Sequence, residues 1–336
     1  VEANEAADGY DFDTKTGTIT KYTGNSSVVE IPEELNGFKV LAIGSSAFKG
    51  NSTLKEVVIP DTVTAIGSEA FHNCVNLRAI KLSKRLQKLG FRAFENCASL
   101  TAIEIPKSLT GTSYDTSYFI DCGNLSTVTF EEGITQIPAG LFRNCPGLMS
   151  IEIPDSVTTI GRSAFSNSAL EEVTLHDGVQ TVGGNAFYGT KLTNVILPDT
   201  VTSIGSEAFH DCINLKTVKL SKRLKSLGFR AFENCASLKA IEIPKSLTDT
   251  SYDTTYFVDC GNLSQVTFEE GVTEIPAGLF RKCPGLMSIE IPDSVTTIGR
   301  SAFSNSALEE VTFHDGLQTV GGLSLIHISE PTRLLS

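Results

Sequence analysis

Apolar positions recur along the chain in one fixed order: Leu-x-x-Ile-x-Leu, a second apolar pair, Ala-Phe, a small residue, and then Leu again. Residues 77–99, LRAIKLSKRLQKLGFRAFENCAS, show the unit whole, and the order restarts after 23 residues. Its Phe recurs at Phe48, Phe71, Phe94, Phe119, Phe142, Phe165, Phe187, Phe209, Phe232, Phe257, Phe280 and Phe303, and a Leu follows each one five or six residues later. Self-similarity at a fixed period of this size is the signature of a solenoid, in which each unit touches only its neighbours. Alternation with period two puts Ile80 and Leu82 on one strand face and Ala79 and Lys81 on the other. The pattern predicts about twelve coils of 22–25 residues with a continuous parallel β-sheet on one side. Short strands, turns and helical turns are expected on the other side.

Pro often follows the strand (Pro60, Pro106, Pro154, Pro198, Pro244, Pro292), where its missing N–H ends the ladder. A second apolar pair such as Val63/Ile66 or Val157/Ile160 comes next, often with Gly after it (Gly67, Gly161, Gly205, Gly299). The Ser-Glu-Ala-Phe and Arg-Ser-Ala-Phe segments predict one short helical turn, with Ser68 or Ser206 near its start. The residue before the Cys position is Asn73, Asn96, Asp121, Asn144, Gly189 or Asp211, types that tolerate positive φ and so read as a helix exit. Lys282 breaks that rule. Residues 1–44 do not fit the repeat. Short strands alternate there with turn residues, Asn36-Gly37 is a strong hairpin signal, and the segment is placed to cover the first coil.

A longer repeat overlies the short one. Ile59–Gly184 matches Leu197–Gly322 at an offset of 138 residues and differs at 19 of 126 positions. The expected organisation is therefore a capping segment at 1–44, a solenoid at 45–322 containing the tandem duplication (59–184 and 197–322), and a tail at 323–336. After Gly322 the pattern stops: where the first copy continues Asn185-Ala186-Phe187, this chain continues Leu323-Ser324-Leu325. The tail reads as foreign, like translated adapter sequence on a truncated gene. It offers no Ala-Phe anchor to a further coil.

Leu-x-x-Val-x-Leu joined to Pro-(Asp/Lys)-(Ser/Thr)-(Val/Leu)-Thr-x-Ile-Gly-x-x-Ala-Phe-x-x-Cys resembles the BspA-like class of leucine-rich repeats. Residues 59–77 and 148–164 quote it almost in full, and the opening Gly17–Gly24 with Ile31-Pro32 and Asn36–Val40 is similar to that family's first segment. The likeness spans about residues 9–322. It implies a leucine-rich repeat solenoid on a bacterial or protist cell surface, often within adhesins that bind partner proteins. It brings no catalytic motif and no cofactor. Leu109–Phe119 departs from the pattern, lacking Ile-Gly and carrying two extra residues.

Composition narrows the functional classes. A net charge of −12 disfavours binding to a phosphate backbone, and no apolar run approaches a membrane span. The eight cysteines fall in two blocks of four (Cys74, Cys97, Cys122, Cys145; Cys212, Cys235, Cys260, Cys283). Their position is Asn51, Ser168, Thr190 or Ser306 in other coils, so it asks for a small, weakly polar filler and predicts reduced, buried thiols. No C-x-x-C pair supports zinc, and Asp8, Asp11 and Asp13 lack the Gly and distal Glu of a calcium loop. His72, His176, His210 and His314 are two duplicated positions, expected to be solvated turn residues.

Two surfaces remain. The outward strand column runs Val58, Lys81, Glu104, Thr129, Glu152, Thr174, Ile196, Lys219, Glu242, Thr267, Glu290, Thr312 and offers no aromatic platform. Lys81, Glu104, Lys219 and Glu242 are its charged candidates. The irregular loops carry Tyr114, Asp115 and Tyr118, and Tyr252, Asp253 and Tyr256, residue types that interfaces enrich, although they would equally plug the gap left by Ile-Gly. Two equivalent Tyr-Asp loops would suit a repetitive or bivalent partner, and the acidic background favours a neutral or basic one. The expectation is a monomeric, non-enzymatic, extracellular or surface-bound protein that recognises a protein ligand, with no nucleic acid and no membrane insertion. The alternatives are a passive spacer presenting another domain and an accessory region of a larger surface enzyme.

Overall fold

A computed structural model describes residues 9–113, 115–248, 250 and 254–325, together with the backbone of 333–334. The chain is a parallel β-solenoid of about 13 turns. It divides into two compact units: one runs to Val157 and takes in Gly161–Leu170, and the other holds Thr158–Ile160 and the chain from Glu171 onward.

Most coils carry two strands, because each contains two apolar segments. The Leu-x-x-Val-x-Leu segment gives the longer one. In the first unit Val28–Glu30, Glu56–Val58 and Ala79–Lys81 pair in parallel, and Ala102–Ile105 pairs with Thr127–Phe130. In the second, Asn194–Ile196, Thr217–Lys219, Ala240–Ile243 and Gln265–Phe268 form one four-stranded sheet. Burial alternates as expected: Ile80 and Ile103 are buried, while Lys81 and Glu104 are exposed. The second apolar pair gives a two-residue strand, as in Ala65–Ile66 beside Lys88–Leu89, or Ser203–Ile204 beside Ser226–Leu227. The Gly that follows marks a close approach of backbones. A Cβ added at Gly90 would lie 2.3 Å from the amide nitrogen of Ser68, and one at Gly228 would lie 2.2 Å from that of Ser206.

The third side of the coil corrects the expectation of helical turns. No helix occurs among the described residues. The Ala-Phe segment is instead a run of tight turns whose N–H groups point alternately along the chain and across to the next coil. Ser46, Phe48 and Gly50 donate to the carbonyls of Ser68, Ala70 and His72 at 2.8–2.9 Å, whereas Ala47, Lys49 and Asn51 donate to residues three positions back. The second unit repeats this with Glu207, Phe209 and Asp211 bonded to Phe229, Ala231 and Glu233. Left-handed residues four apart produce the pattern: Glu69 (φ 56) with Asn73 (φ 60), and Glu207 (φ 56) with Asp211 (φ 59). An α-helix sends every N–H four residues back and has none left for a neighbouring coil. The residues read as helix exits do hold positive φ, but they punctuate a turn ladder.

Phe side chains fill the interior as two stacks. In the first unit Tyr22, Phe48, Phe71, Phe94, Phe119, Phe142 and Phe165 follow one another at centroid spacings of 4.9–5.8 Å. Phe187 through Phe303 repeat the arrangement at 5.1–5.8 Å in the second. These distances suit offset stacking between coils. The first stack opens on Tyr22, whose strand Thr18–Tyr22 pairs antiparallel with Tyr10–Asp13 and parallel with Ala42–Ile43. Asn36 (φ 53) and Gly37 (φ 79) make the hairpin turn between Glu34–Leu35 and Phe38–Lys39. At the other end Phe303 N–H donates to the Ser324 carbonyl, and the Ser324 hydroxyl bonds the Gly299 carbonyl at 2.6 Å, so Leu323–Leu325 continue the turn ladder.

Two stability predictions follow from these geometries. Phe142→Ala removes a fully buried ring with a neighbour on each side and should cost about 3–5 kcal/mol, whereas Lys81→Ala should stay within about 0.5 kcal/mol. Urea denaturation of the two variants compares them directly, and equal costs would mean the faces are misassigned. Lys282 holds φ 56 at the position where the first copy has Asn144. Lys282→Asn should therefore stabilise by about 0.5–1 kcal/mol, and Asn144→Lys should destabilise to a similar extent; an unchanged urea midpoint in both would count against backbone strain there.

Candidate functional site

All eight cysteines are free and buried. Six of the thiols donate hydrogen bonds to a Phe carbonyl of the preceding coil: Cys74 to Phe48 at 3.1 Å, Cys97 to Phe71 at 3.3 Å and Cys122 to Phe94 at 3.1 Å, with Cys212, Cys235 and Cys260 bonded likewise to Phe187, Phe209 and Phe232. Thr190 and Ser306 reach the Phe carbonyl of their own coil instead, at 2.9 and 2.7 Å. A short donor tip is the shared requirement. Burial pushes Cys74, Cys145, Cys212 and Cys283 up to about 12. Cys97 is raised chiefly by its bond to Cys122, and Cys235 chiefly by burial. Thiols held this far from ionisation are poor nucleophiles and poor metal ligands at neutral pH. A thiol-specific chromogenic reagent should leave all eight untouched in the folded chain and titrate all eight in denaturant; fast labelling of even one in the native state would break this reading.

The histidines need a correction. His72 and His210 are not solvated turn residues: their side chains are only 18% and 14% exposed, packed on the turn ladder. His72 Nδ1 lies 3.6 Å from Glu69 and Nε2 lies 3.9 Å from Glu95, while His210 Nε2 lies 3.4 Å from Asp211. Among the described residues no group of three or more His, Cys, Asp or Glu could hold a metal ion.

The loop tyrosines are split by the structure. Tyr114, Tyr252 and Asp253 lie outside the described residues. Tyr118 and Tyr256 are core residues, 1% and 2% exposed, and the Tyr118 hydroxyl accepts the Ser113 N–H at 2.6 Å. Each fills the space that Ile-Gly leaves vacant, so neither presents a surface. Asp115 is exposed and accepts a hydrogen bond from the Ser113 hydroxyl.

Lys81, Glu104, Lys219 and Glu242 are all exposed on the outward strand face. Register puts Lys81 beside Val58, Glu104 beside Thr129, Lys219 beside Ile196, and Glu242 beside Thr267. In the second unit this face is pitted. A depression of about 730 Å³ lies over Thr217, Ala240 and Gln265, rimmed by Lys216, Lys239 and Glu242. Two shallower ones, of about 390 and 500 Å³, meet at Ile196, which is 65% exposed. Ala240 sits in register between Thr217 and Gln265, and its single carbon leaves the notch. Sequence reasoning placed the column but missed Lys216, Lys239 and Gln265. The signal was present in the differences between the two copies: 101/239 changes Thr to Lys, and 127/265 changes Thr to Gln.

Comparison with known proteins agrees with the geometry. The chain belongs to the family of BspA-type leucine-rich repeat regions, whose model matches in six copies over residues 41–171, 135–254 and 250–329. A leucine-rich repeat protein from Bacteroides ovatus is 25% identical over 94% of this chain and 90% of that one, with a TM-score of 0.64. A leucine-rich cell surface protein from Faecalibacterium prausnitzii is 27% identical over 94% of each chain, with a TM-score of 0.44. A leucine-rich repeat protein from Eubacterium ventriosum is 24% identical over 87% of this chain and 88% of that one, with a TM-score of 0.45. No curated protein sequence matches the chain. No helix among the described residues is long and apolar enough to cross a membrane.

Proposed function

We propose that the chain is a non-enzymatic binding protein, displayed at a cell surface or secreted, that recognises a protein partner through the outward face of its long strands. The observation that carries this reading is the second unit's strand face, where the exposed Ile196 lies between two depressions, Lys219 borders one of them, and Glu242 lines a third. An exposed aliphatic side chain ringed by charge is the make-up of a contact surface with a polar rim. The outward column supports the strand face over the loops, since Tyr118 and Tyr256 are spent on packing. The family resemblance supports the extracellular location, and the protein acts as a monomer.

The test uses the intact chain against a panel of immobilised, purified extracellular proteins, read by surface plasmon resonance. Ile196→Asp and the pair Lys219→Glu with Glu242→Lys should lower the response to any ligand found by about tenfold or more, given that central contacts carry most of an interface's energy. Tyr114→Ala and Tyr252→Ala should leave it unchanged. Binding lost in the tyrosine variants and kept in the strand-face variants would move the site to the loops. No binding anywhere on the panel would favour a spacer role.

A further inference from the structure

The two copies of the duplication were once identical, so the positions at which they now differ show where their surfaces have parted. Of the eleven residues lining the depression at Ala240, five differ from their first-copy equivalents: Lys216, Thr217, Val218, Lys239 and Gln265. The remaining 115 aligned positions hold the other fourteen differences, so change is concentrated at this spot. It also has a direction. Arg78 of the first copy is paired at 2.8 Å with Glu56, on the strand just before that copy, and the next coil carries the neutral Thr101. The second copy has Lys216 in place of Arg78 and Lys239 in place of Thr101, and the strand just before it carries Asn194 where the strand just before the first copy carries Glu56. One cation with a carboxylate partner corresponds to two cations at the equivalent place.

Those cations are adjacent. Thr217 and Ala240 are register partners, so Lys216 and Lys239 precede a matched pair on neighbouring strands, about 4.8 Å apart along the stack. Neither has a carboxylate within ion-pair distance among the described residues. Like charges side by side on a sheet oppose folding, and this chain has a net charge of −12. The local field nonetheless governs contact, because screening confines charge effects to about 8 Å at physiological salt. Below the lysines, Val218 and Ile241 form a buried aliphatic floor, with the Thr217 hydroxyl and the Gln265 amide at the sides.

Building on the strand-face reading above, we propose that this notch seats an acidic, extended segment of the protein partner, with one carboxylate bridging Lys216 and Lys239. The acidic background of the whole chain would have chosen a neutral or basic partner; the patch selects the opposite. A nucleic acid would find no aromatic ring among the lining residues for its bases. A sugar chain would likewise have no ring to stack on.

The test measures fluorescence anisotropy with a labelled octapeptide of alternating Glu and Val, beside its Lys-Val counterpart, at 50 mM and 500 mM NaCl. The Glu-Val peptide should bind with one site per chain and weaken with salt, and the Lys-Val peptide should not bind. Lys216→Gln with Lys239→Thr should lower affinity about tenfold at unchanged melting temperature. Installing the equivalent residues around the first copy's notch, Glu56→Asn with Thr101→Lys, should raise the stoichiometry from one to two. Equal binding of both peptides, no effect of the lysine changes, or a stoichiometry that stays at one would overturn the proposal. So would equally tight binding of polygalacturonate or of a single-stranded DNA oligonucleotide, or salt-sensitive self-association in sedimentation that the lysine changes abolish. If the peptide fails to bind while Ile196→Asp still abolishes capture of a matrix protein, the acidic segment is wrong and the strand-face reading stands.

Discussion

Everything in this fold depends on one constraint: a coil cannot satisfy its own backbone. Along the Ala-Phe segment every second N–H turns away from its own chain and needs a carbonyl from the next coil, as Phe48 needs Ala70 and Phe209 needs Ala231. An amide buried without a partner costs more than the bond itself returns, so a coil is stable only against its neighbours. The left-handed residues at every fourth position hold the N–H groups in that alternation. The Phe stacks, the glycine corners and the thiol bonds are ways of letting two such backbones come close.

Much of this could be read from residue order. The spacing of Phe and Leu announces the stack and the strands, and Asn36-Gly37 announces the hairpin. The helical turn was misjudged because Ser-Glu-Ala-Phe is good helical sequence; what overrides that propensity is the pull of the neighbouring coil on alternate amides, a tertiary effect that local preference cannot register. Asn73 and Asn96 carried the right conformational signal but admitted two structures. The outward column was legible from alternation alone, whereas the notch at Ala240 depends on which residues fall into register across three coils. Tyr118 and Tyr256 look like surface residues by composition and loop context, yet the missing Ile-Gly pair needed something bulky in its place.

Thiols and exposed strand side chains are separated in this molecule by depth. The eight buried thiols and the packed His72 and His210 lie in the turn ladder or beneath it, and six of the thiols donate to a carbonyl of the preceding coil. Outward strand residues pair with one another across coils, as Arg78 does with Glu56. Between the copies they differ most around Ala240, where the second copy carries Lys239 in place of Thr101.

The turn ladder carries a consequence for how such a chain grows. Each coil offers to the coil after it the same set of donors and acceptors that it meets in the coil before it, so the joint between successive coils is interchangeable. A genetic crossover that keeps the reading phase of the repeat, joining a residue to its counterpart 138 positions away, cuts and remakes a joint of one kind and leaves every ladder intact. A crossover out of phase by a single residue would put Glu104 in the place of Ile103 and turn each buried strand position outward. Length in this architecture is therefore a quantity that can change in whole coils without a new folding solution, and a duplicated coil arrives with its outer face already free to acquire a different partner.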